Sequence, residues 1–187
     1  MRHELNFWVL GGDMRQGKLA QLLAEDGHRV HTYALEDGAV PAPGLTAEPG
    51  LSGVEQADCV VLPLPVSSGG ELLNAPLSRL SPPITEVLAP LSPGQMLCGG
   101  RVAPVTAALA AERGLTIRDY FAREELAVAN AVPTAEGAVQ IAMEQLPITI
   151  HGARVLVVGF GRVGRALAQR LAALGAKVTV AARRYES

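Results

Sequence analysis

Short apolar runs closed by glycine or proline alternate along this chain with stretches whose apolar positions recur at helical spacing. Asn6 to Gly12 is the first such run and reads as a buried parallel strand. Asp13 follows as a helix cap. Leu19, Leu22 and Leu23 then mark one face of a helix that ends near Gly27. Arg29 to Leu35 is the next strand, which completes a βαβ unit with right-handed crossover. Residues 38–53 have no period and hold at most a short strand. Ala57 to Leu64 is a strongly apolar strand stopped at Pro63-Leu-Pro65, with Ser67-Ser-Gly-Gly70 as a loop beyond it. Five prolines between residues 76 and 94 leave room for one short helix, Ile84 to Ala89.

A strand from Gln95 to Cys98 ends in Gly99-Gly100. A helix from Ala103 to Arg113 ends at Gly114, and a strand from Leu115 to Arg118 runs into Asp119-Tyr-Phe121. Alternation of this kind predicts an α/β fold, a doubly wound parallel-sheet N-terminal domain over residues 1–130. Residues 134–146 form a clear helix, with Pro133 and Thr134 as its start and Pro147 beyond its end. It is expected to be an interdomain linker spanning 131–150. Residues 151–187 then open a Rossmann-type domain.

That last segment carries the most specific chemistry. Ala153 to Val158 is a strand. It runs into Gly159-Phe160-Gly161-Arg162-Val163-Gly164, then a helix from Arg162 to Leu174, then a strand from Lys177 to Ala182. A G-x-G-x-x-G set between strand and helix is the fingerprint of a dinucleotide site. Gly159 permits the tight turn, Gly161 lets backbone amides approach a pyrophosphate, and Gly164 lets the helix pack on the sheet. The helix N-terminus adds unpaired N–H donors and positive dipole. An acid normally stands about 20 residues on, to bind the ribose of NAD. Arg183 and Arg184 stand there instead. A guanidinium fork suits a 2′-phosphate, so NADP is preferred over NAD.

A full dinucleotide fold has two βαβαβ halves. The sequence closes after one βαβ unit, so the second half is expected to be missing and the chain inactive by itself. Strands 153–158 and 177–182 are expected to present open apolar edges.

Composition narrows the classes. Charged residues are 18% of the chain, against about 25% in an average domain, so some surface is meant to be covered. The expected cover is a second subunit, as in a homo-oligomer, or further chain. With a net charge of −2, no basic run and few aromatic residues, no nucleic acid is expected as a partner. No apolar run reaches the length of a membrane span, and the N-terminus lacks a signal pattern. The expected compartment is the cytoplasm, with Cys59 and Cys98 as free thiols and no metal site.

Several segments together resemble a known family. Gly11-Gly-Asp-Met-Arg-Gln16, Asn130-Ala-Val-Pro-Thr-Ala-Glu-Gly137 and Ile148-Thr-Ile-His-Gly152 precede the glycine turn, and Ala172-Ala-Leu-Gly-Ala176 and Ala182-Arg183 follow it. This set is similar to the dipicolinate synthase A-subunit family. The resemblance implies oxidation of dihydrodipicolinate to dipicolinate with NAD(P) during spore formation, alongside the second, flavoprotein-like subunit of dipicolinate synthase.

The substrate, a small dicarboxylate, is expected at the strand C-termini of the first domain. Candidate contacts are Asp13, Arg15, Gln16, Ser67, Ser68, Gly99, Gly100 and Arg101, with Thr134 and Glu136 at the start of the linker helix. Arg15 is the strongest of these, because arginine grips carboxylates with two hydrogen bonds. Asp13 serves equally as a cap. No residue stands out as the catalytic base, and His151 reads as a turn residue. Two other functions fit the layout: a different two-domain NAD(P) dehydrogenase of the 2-hydroxyacid or alanine dehydrogenase type, and a non-catalytic partner module.

Overall fold

The computed structural model describes residues 3–38 and 42–183. The chain divides into two compact units, Met1–Ala122 and Arg123–Ser187.

The first unit contains β1 (Asn6–Leu10), α1 (Met14–Glu25), β2 (Arg29–Tyr33), β3 (Leu45–Ala47), β4 (Cys59–Val61), β5 (Ser67–Ser68), β6 (Leu72–Leu73), α2 (Ile84–Leu88), β7 (Met96–Gly99), α3 (Pro104–Ala111) and β8 (Ile117–Asp119). Six of these strands form one sheet in the order β3-β2-β1-β4-β7-β8, every neighbouring pair parallel. The order reverses between β1 and β4. In an open parallel sheet that reversal leaves a crevice outside the strand C-termini.

Both faces of the central strands are covered, which is why β1, β4 and β7 read as near-continuous apolar runs. Trp8, Leu10, Val60, Leu62 and Leu97 face one layer, where Ile84, Val87 and Leu88 of α2 and Ala110 of α3 pack. Val9, Val30, Cys59 and Val61 face the other, against Ala20 and Ala24 of α1.

The helix α1 meets the sheet through small residues. Gln16, Gly17, Ala20 and Ala24 are its buried positions. Of the leucines expected to mark its face, Leu19 and Leu23 lie at the margin of the core and Leu22 is 47% exposed. Ser67–Leu73, expected as a plain loop, folds into an antiparallel hairpin, Ser67 opposite Leu73 and Ser68 opposite Leu72.

The second unit contains α4 (Glu124–Gln145), β9 (Arg154–Val158), α5 (Arg162–Ala173) and β10 (Lys177–Ala181). The strands β9 and β10 are parallel, with Arg154 opposite Lys177 and Val158 opposite Ala181. Ile150, Val157 and Leu171 form the core, with Val139 and Ala142 of α4 packed on it.

The helix α4 corrects the sequence expectation. It begins at Glu124, not at Thr134, and Pro133 lies inside it. An interior proline removes one helical hydrogen bond and costs about 3 kcal/mol. Burial of Ala131 and Ala135 offsets part of that cost, and Glu124 and Glu125 suit the positive end of the helix dipole. The helix expected as a linker over 131–150 thus belongs to the second compact unit. The division falls at Ala122 rather than at residue 130.

The opposite face of the β9–β10 pair is bare: Leu156 is 61% exposed and Val158 82%. No helix among the described residues is long and apolar enough to cross a membrane.

The small-residue contact of α1 is testable by urea unfolding, followed through Trp8, the single tryptophan, which lies in the first unit's core. Ala20→Leu is expected to cost about 1–3 kcal/mol by overpacking. Leu22→Ala is expected to change stability by less than about 0.5 kcal/mol.

Candidate functional site

Each unit has one set of residues that bears on a site: the loops at the strand-order reversal of the first and the glycine turn of the second, which opens on a groove.

In the first unit the crevice is walled by the loops after β1 and β4. Gly11 and Gly12 turn the chain out of β1 with left-handed φ values of 59° and 96°. Asp13 caps α1, its Oδ1 accepting the Arg15 amide at 2.9 Å. The Arg15 guanidinium donates from Nε and Nη2 to the Asp13 carboxylate and from Nη2 to the Leu64 carbonyl at 3.1 Å. It therefore spans the crevice from β1 to β4, and its side chain remains 59% exposed. This fork holds the Asp13 carboxyl below its usual range and raises Arg15 above its own.

The other candidates of the first unit have mixed placements. Gln16 is buried, its Nε2 without a hydrogen-bond partner. Its Cγ fills the space where a side chain on Gly12 would sit. Ser67 is buried beside Thr106, Oγ to Oγ1 3.3 Å. Ser68 is exposed and donates to Asn74 Oδ1 at 3.5 Å. Gly100 has no side chain because the Tyr120 ring takes that space. Arg101 has a left-handed φ of 53°, held by its amide on Asp119 Oδ1 at 3.0 Å.

Three residues here escaped the sequence reading. Asn74 donates to the Pro65 carbonyl at 3.0 Å, and its own carbonyl accepts the Gly12 amide at 2.8 Å, so it ties the hairpin to both crevice walls. Asp119 accepts the amides of Arg101, Val102 and Phe121 and so shapes the loop after β7. Tyr120 donates to the Leu62 carbonyl at 3.2 Å. Burial pushes its phenol up to about 12, so it stays protonated. No single-residue pattern marks Asn74. Asp119 and Tyr120 were visible only as a strand end.

Cys59 and Cys98 are free thiols. Burial, and then the neighbouring Cys98, push the Cys59 thiol up to about 12. A nucleophilic cysteine needs the opposite shift.

Thr134 and Glu136 lie mid-helix in the second unit, not at the helix start expected for them. Thr134 Oγ1 donates to the Asn130 carbonyl at 2.7 Å. Glu136 accepts from Arg170 Nη2 of α5 at 3.1 Å.

The second place is the turn between β9 and α5. Gly159 has φ +99°, and its amide closes on the Ala181 carbonyl at 2.7 Å. A side chain at Gly164 would lie 2.2 Å from the Gly159 carbonyl oxygen. Both glycines are thus required by the turn itself.

Gly161 is different. Its φ is −79°, and a side chain there would meet nothing within 4 Å. Its space opens on a groove of about 1050 Å³ lined by Val158 to Gly161 and by Ala181, Ala182 and Arg183. The helix α5 has no side-chain cap, and its first intrahelical bond is from the Arg165 amide to the Gly161 carbonyl at 2.9 Å. The amides of Arg162 and Val163 precede that bond and have no helical partner.

The remaining residues brace the turn. Arg165 lies over the Phe160 ring, 5.1 Å from its centre, and donates to the Phe160 carbonyl at 3.3 Å. Arg162 pairs with Glu124 of α4. Arg183 borders the groove, and Arg184 lies outside the described residues. A dinucleotide fits this turn: the missing Gly161 side chain clears room for a diphosphate, and free amides face it.

Comparison with known proteins agrees with both halves. Residues 6–121 match the dipicolinate synthase A-subunit N-terminal domain. The chain belongs to the dipicolinate synthase A-subunit family. Residues 120–187 match the NAD-binding domain of D-isomer specific 2-hydroxyacid dehydrogenases, and the change between the two matches falls beside the unit boundary at Ala122.

The chain is 29% identical over 186 residues to the dipicolinate synthase A-subunit of Bacillus subtilis (strain 168), covering 96% of this chain and 61% of that protein. The crystal structure of the Bacillus subtilis dipicolinate synthase A chain matches with a TM-score of 0.81 at 27% identity, covering 100% of this chain and 63% of that one. The crystal structure of the Bacillus halodurans A-subunit matches with a TM-score of 0.85 at 26% identity, covering 97% and 63%. The chain thus spans less than two thirds of the length of these family members.

The two kinds of glycine separate by experiment. Gly161→Ala is expected to keep the thermal stability of the protein and to weaken dinucleotide binding by about tenfold or more, since its methyl group occupies the diphosphate space. Gly164→Ala is expected to lower stability by about 1–3 kcal/mol, since its methyl group strikes backbone. Calorimetric melting with dinucleotide titration reads both.

Proposed function

We propose that this chain carries the substrate-binding unit and the start of the cofactor-binding unit of an NADP-leaning oxidoreductase that oxidises dihydrodipicolinate to dipicolinate. The observation that carries the reading is the open amide turn at Gly161 joined to a first unit of the dipicolinate synthase A-subunit family.

The reaction removes a hydride and a proton from a dihydropyridine and leaves an aromatic ring. A bound nicotinamide supplies the hydride acceptor. The protein's part is to hold the ring by its carboxylates. Arg15 is suited to this. Its guanidinium is already oriented by Asp13 and Leu64 at the sheet's switch point, and more than half of the side chain is open to solvent. Pre-orientation of this kind lowers the entropy lost on gripping a carboxylate. Asp119 and Asn74 support the site by fixing the loops around it.

Arg183 borders the groove where the adenosine ribose of a dinucleotide lies in this fold. With Arg184 beside it in sequence, it favours a 2′-phosphate over a bare hydroxyl. Action alongside the second dipicolinate synthase subunit during spore formation belongs to the same reading by family resemblance, and assembly as a homo-oligomer by the low fraction of charged residues. The match of residues 120–187 to 2-hydroxyacid dehydrogenases favours a second reading, oxidation of a 2-hydroxy acid. The match of residues 6–121 weighs against it, because it covers the unit that selects the substrate.

The test is turnover of the intact protein with dihydrodipicolinate, followed by appearance of reduced nicotinamide and of dipicolinate. Arg15→Ala is expected to raise KM by about tenfold or more, the loss of the charge-assisted hydrogen bonds of Nη1, the nitrogen not engaged by Asp13 or Leu64, with melting little changed. Unaltered KM and kcat would remove Arg15 from the site. Arg183→Ser is expected to weaken NADP by about tenfold and leave NAD binding alone. Tighter binding of NAD than NADP by the unaltered protein would reverse the cofactor assignment. Turnover of a 2-hydroxy acid in place of dihydrodipicolinate would establish the second reading.

A further inference from the structure

Glu124 opens α4 and Arg162 opens α5. The two helices lie side by side and run the same way, since Glu124 pairs with Arg162 and, further along, Glu136 pairs with Arg170. The first of these pairs is a closed fork: Arg162 Nε donates to Glu124 Oε1 at 2.7 Å, and Nη2 donates to Oε2. It draws the Glu124 carboxyl below its usual range and raises Arg162.

Its position gives it a consequence for binding. Arg162 follows Gly161 directly and its amide is one of those left without a helical partner. A guanidinium beside a diphosphate turn is the natural fork for a phosphate oxygen pair. Here that fork is spent on a carboxylate from the neighbouring helix. The pair is solvent-exposed, 53% at Arg162 and 64% at Glu124, and such pairs hold weakly. Arg162 does not line the glycine groove but lies with Glu124, Val128 and Arg165 on the α4 side, so a diphosphate at the turn must draw the guanidinium away from Glu124 to use it.

We propose that Glu124 is a positioning residue that holds Arg162 back from the cofactor diphosphate. The main-chain amides then carry the binding, and the restrained arginine keeps the dinucleotide from staying long. This rests on the reading of the glycine turn as a dinucleotide site. In an enzyme that must exchange its cofactor at every turnover, that restraint shortens residence without altering the turn.

The experiment is equilibrium and stopped-flow binding of NADPH and of NADH to the intact protein, read by nicotinamide fluorescence. Glu124→Gln is expected to bind about fivefold tighter, as an exposed fork is released to the phosphate. Most of the gain is expected in slower dissociation, and added salt is expected to reduce it. Glu124→Asp, which keeps the charge, is expected to stay near the unaltered protein. Glu124→Gln with Arg162→Ala is expected to lose the gain.

If Glu124→Gln binds no tighter, or binds more weakly, the proposal is overturned; a lowered melting temperature alone then makes the pair a brace between α4 and α5. If the unaltered protein and all variants take up neither dinucleotide, the nucleotide reading itself fails and takes this one with it.

Discussion

A helix that starts at Arg162 has amides with no partner in the helix, and everything proposed for the second unit depends on what meets them. A side-chain cap would have closed the matter; α5 has none. Backbone strain would have explained every glycine in the turn; it explains Gly159 and, by crowding, Gly164, and leaves Gly161 without an internal reason. A position that needs no positive φ and crowds no neighbour is free to hold any residue. A glycine there, at the mouth of an open groove, makes physical sense as room for a ligand that approaches the backbone closely. Unpaired amides and the helix dipole fix the charge of that ligand as negative.

The first unit meets the same need differently. Its central strands are buried on both faces, so the polar groups of the crevice come from the loops at the strand ends. There the reversal of strand order sets β1 and β4 side by side with their following loops diverging. Arg15 crosses that gap and is bound at both sides, by Asp13 and by the Leu64 carbonyl. The second unit does not cover both faces of its strands: Leu156 and Val158 stand open on one side of a parallel pair, where such strands are ordinarily sandwiched.

Much of this was legible in the sequence because parallel strands buried on both sides write themselves as apolar runs. The segments that became β1, β4 and β7 were read that way, those that became β2, β9 and β10 by their place around a helix, and the glycine turn by its spacing. What was missed has physical causes. Pro133 looks like a helix start, and only the packing of α4 along α5 carries the helix through it. The leucines of α1 outweigh its alanines on any hydrophobic scale, yet the sheet accepts the small residues at close range. A hairpin of two-residue strands has no period to detect. At the candidate sites, the Asp13 cap was legible from local spacing. Asn74 and the Glu124–Arg162 pair were not, because their partners lie far away in sequence and only the fold brings them together.

The most direct measurement is a map of which backbone amides respond when a diphosphate-containing ligand is added, by nitrogen–proton NMR of the isotope-labelled protein titrated with NADP and with ADP-ribose. The account predicts that the largest shifts fall on the amides of Gly161, Arg162 and Val163, with smaller ones near Arg183. Saturable binding that leaves those three amides unmoved would contradict it.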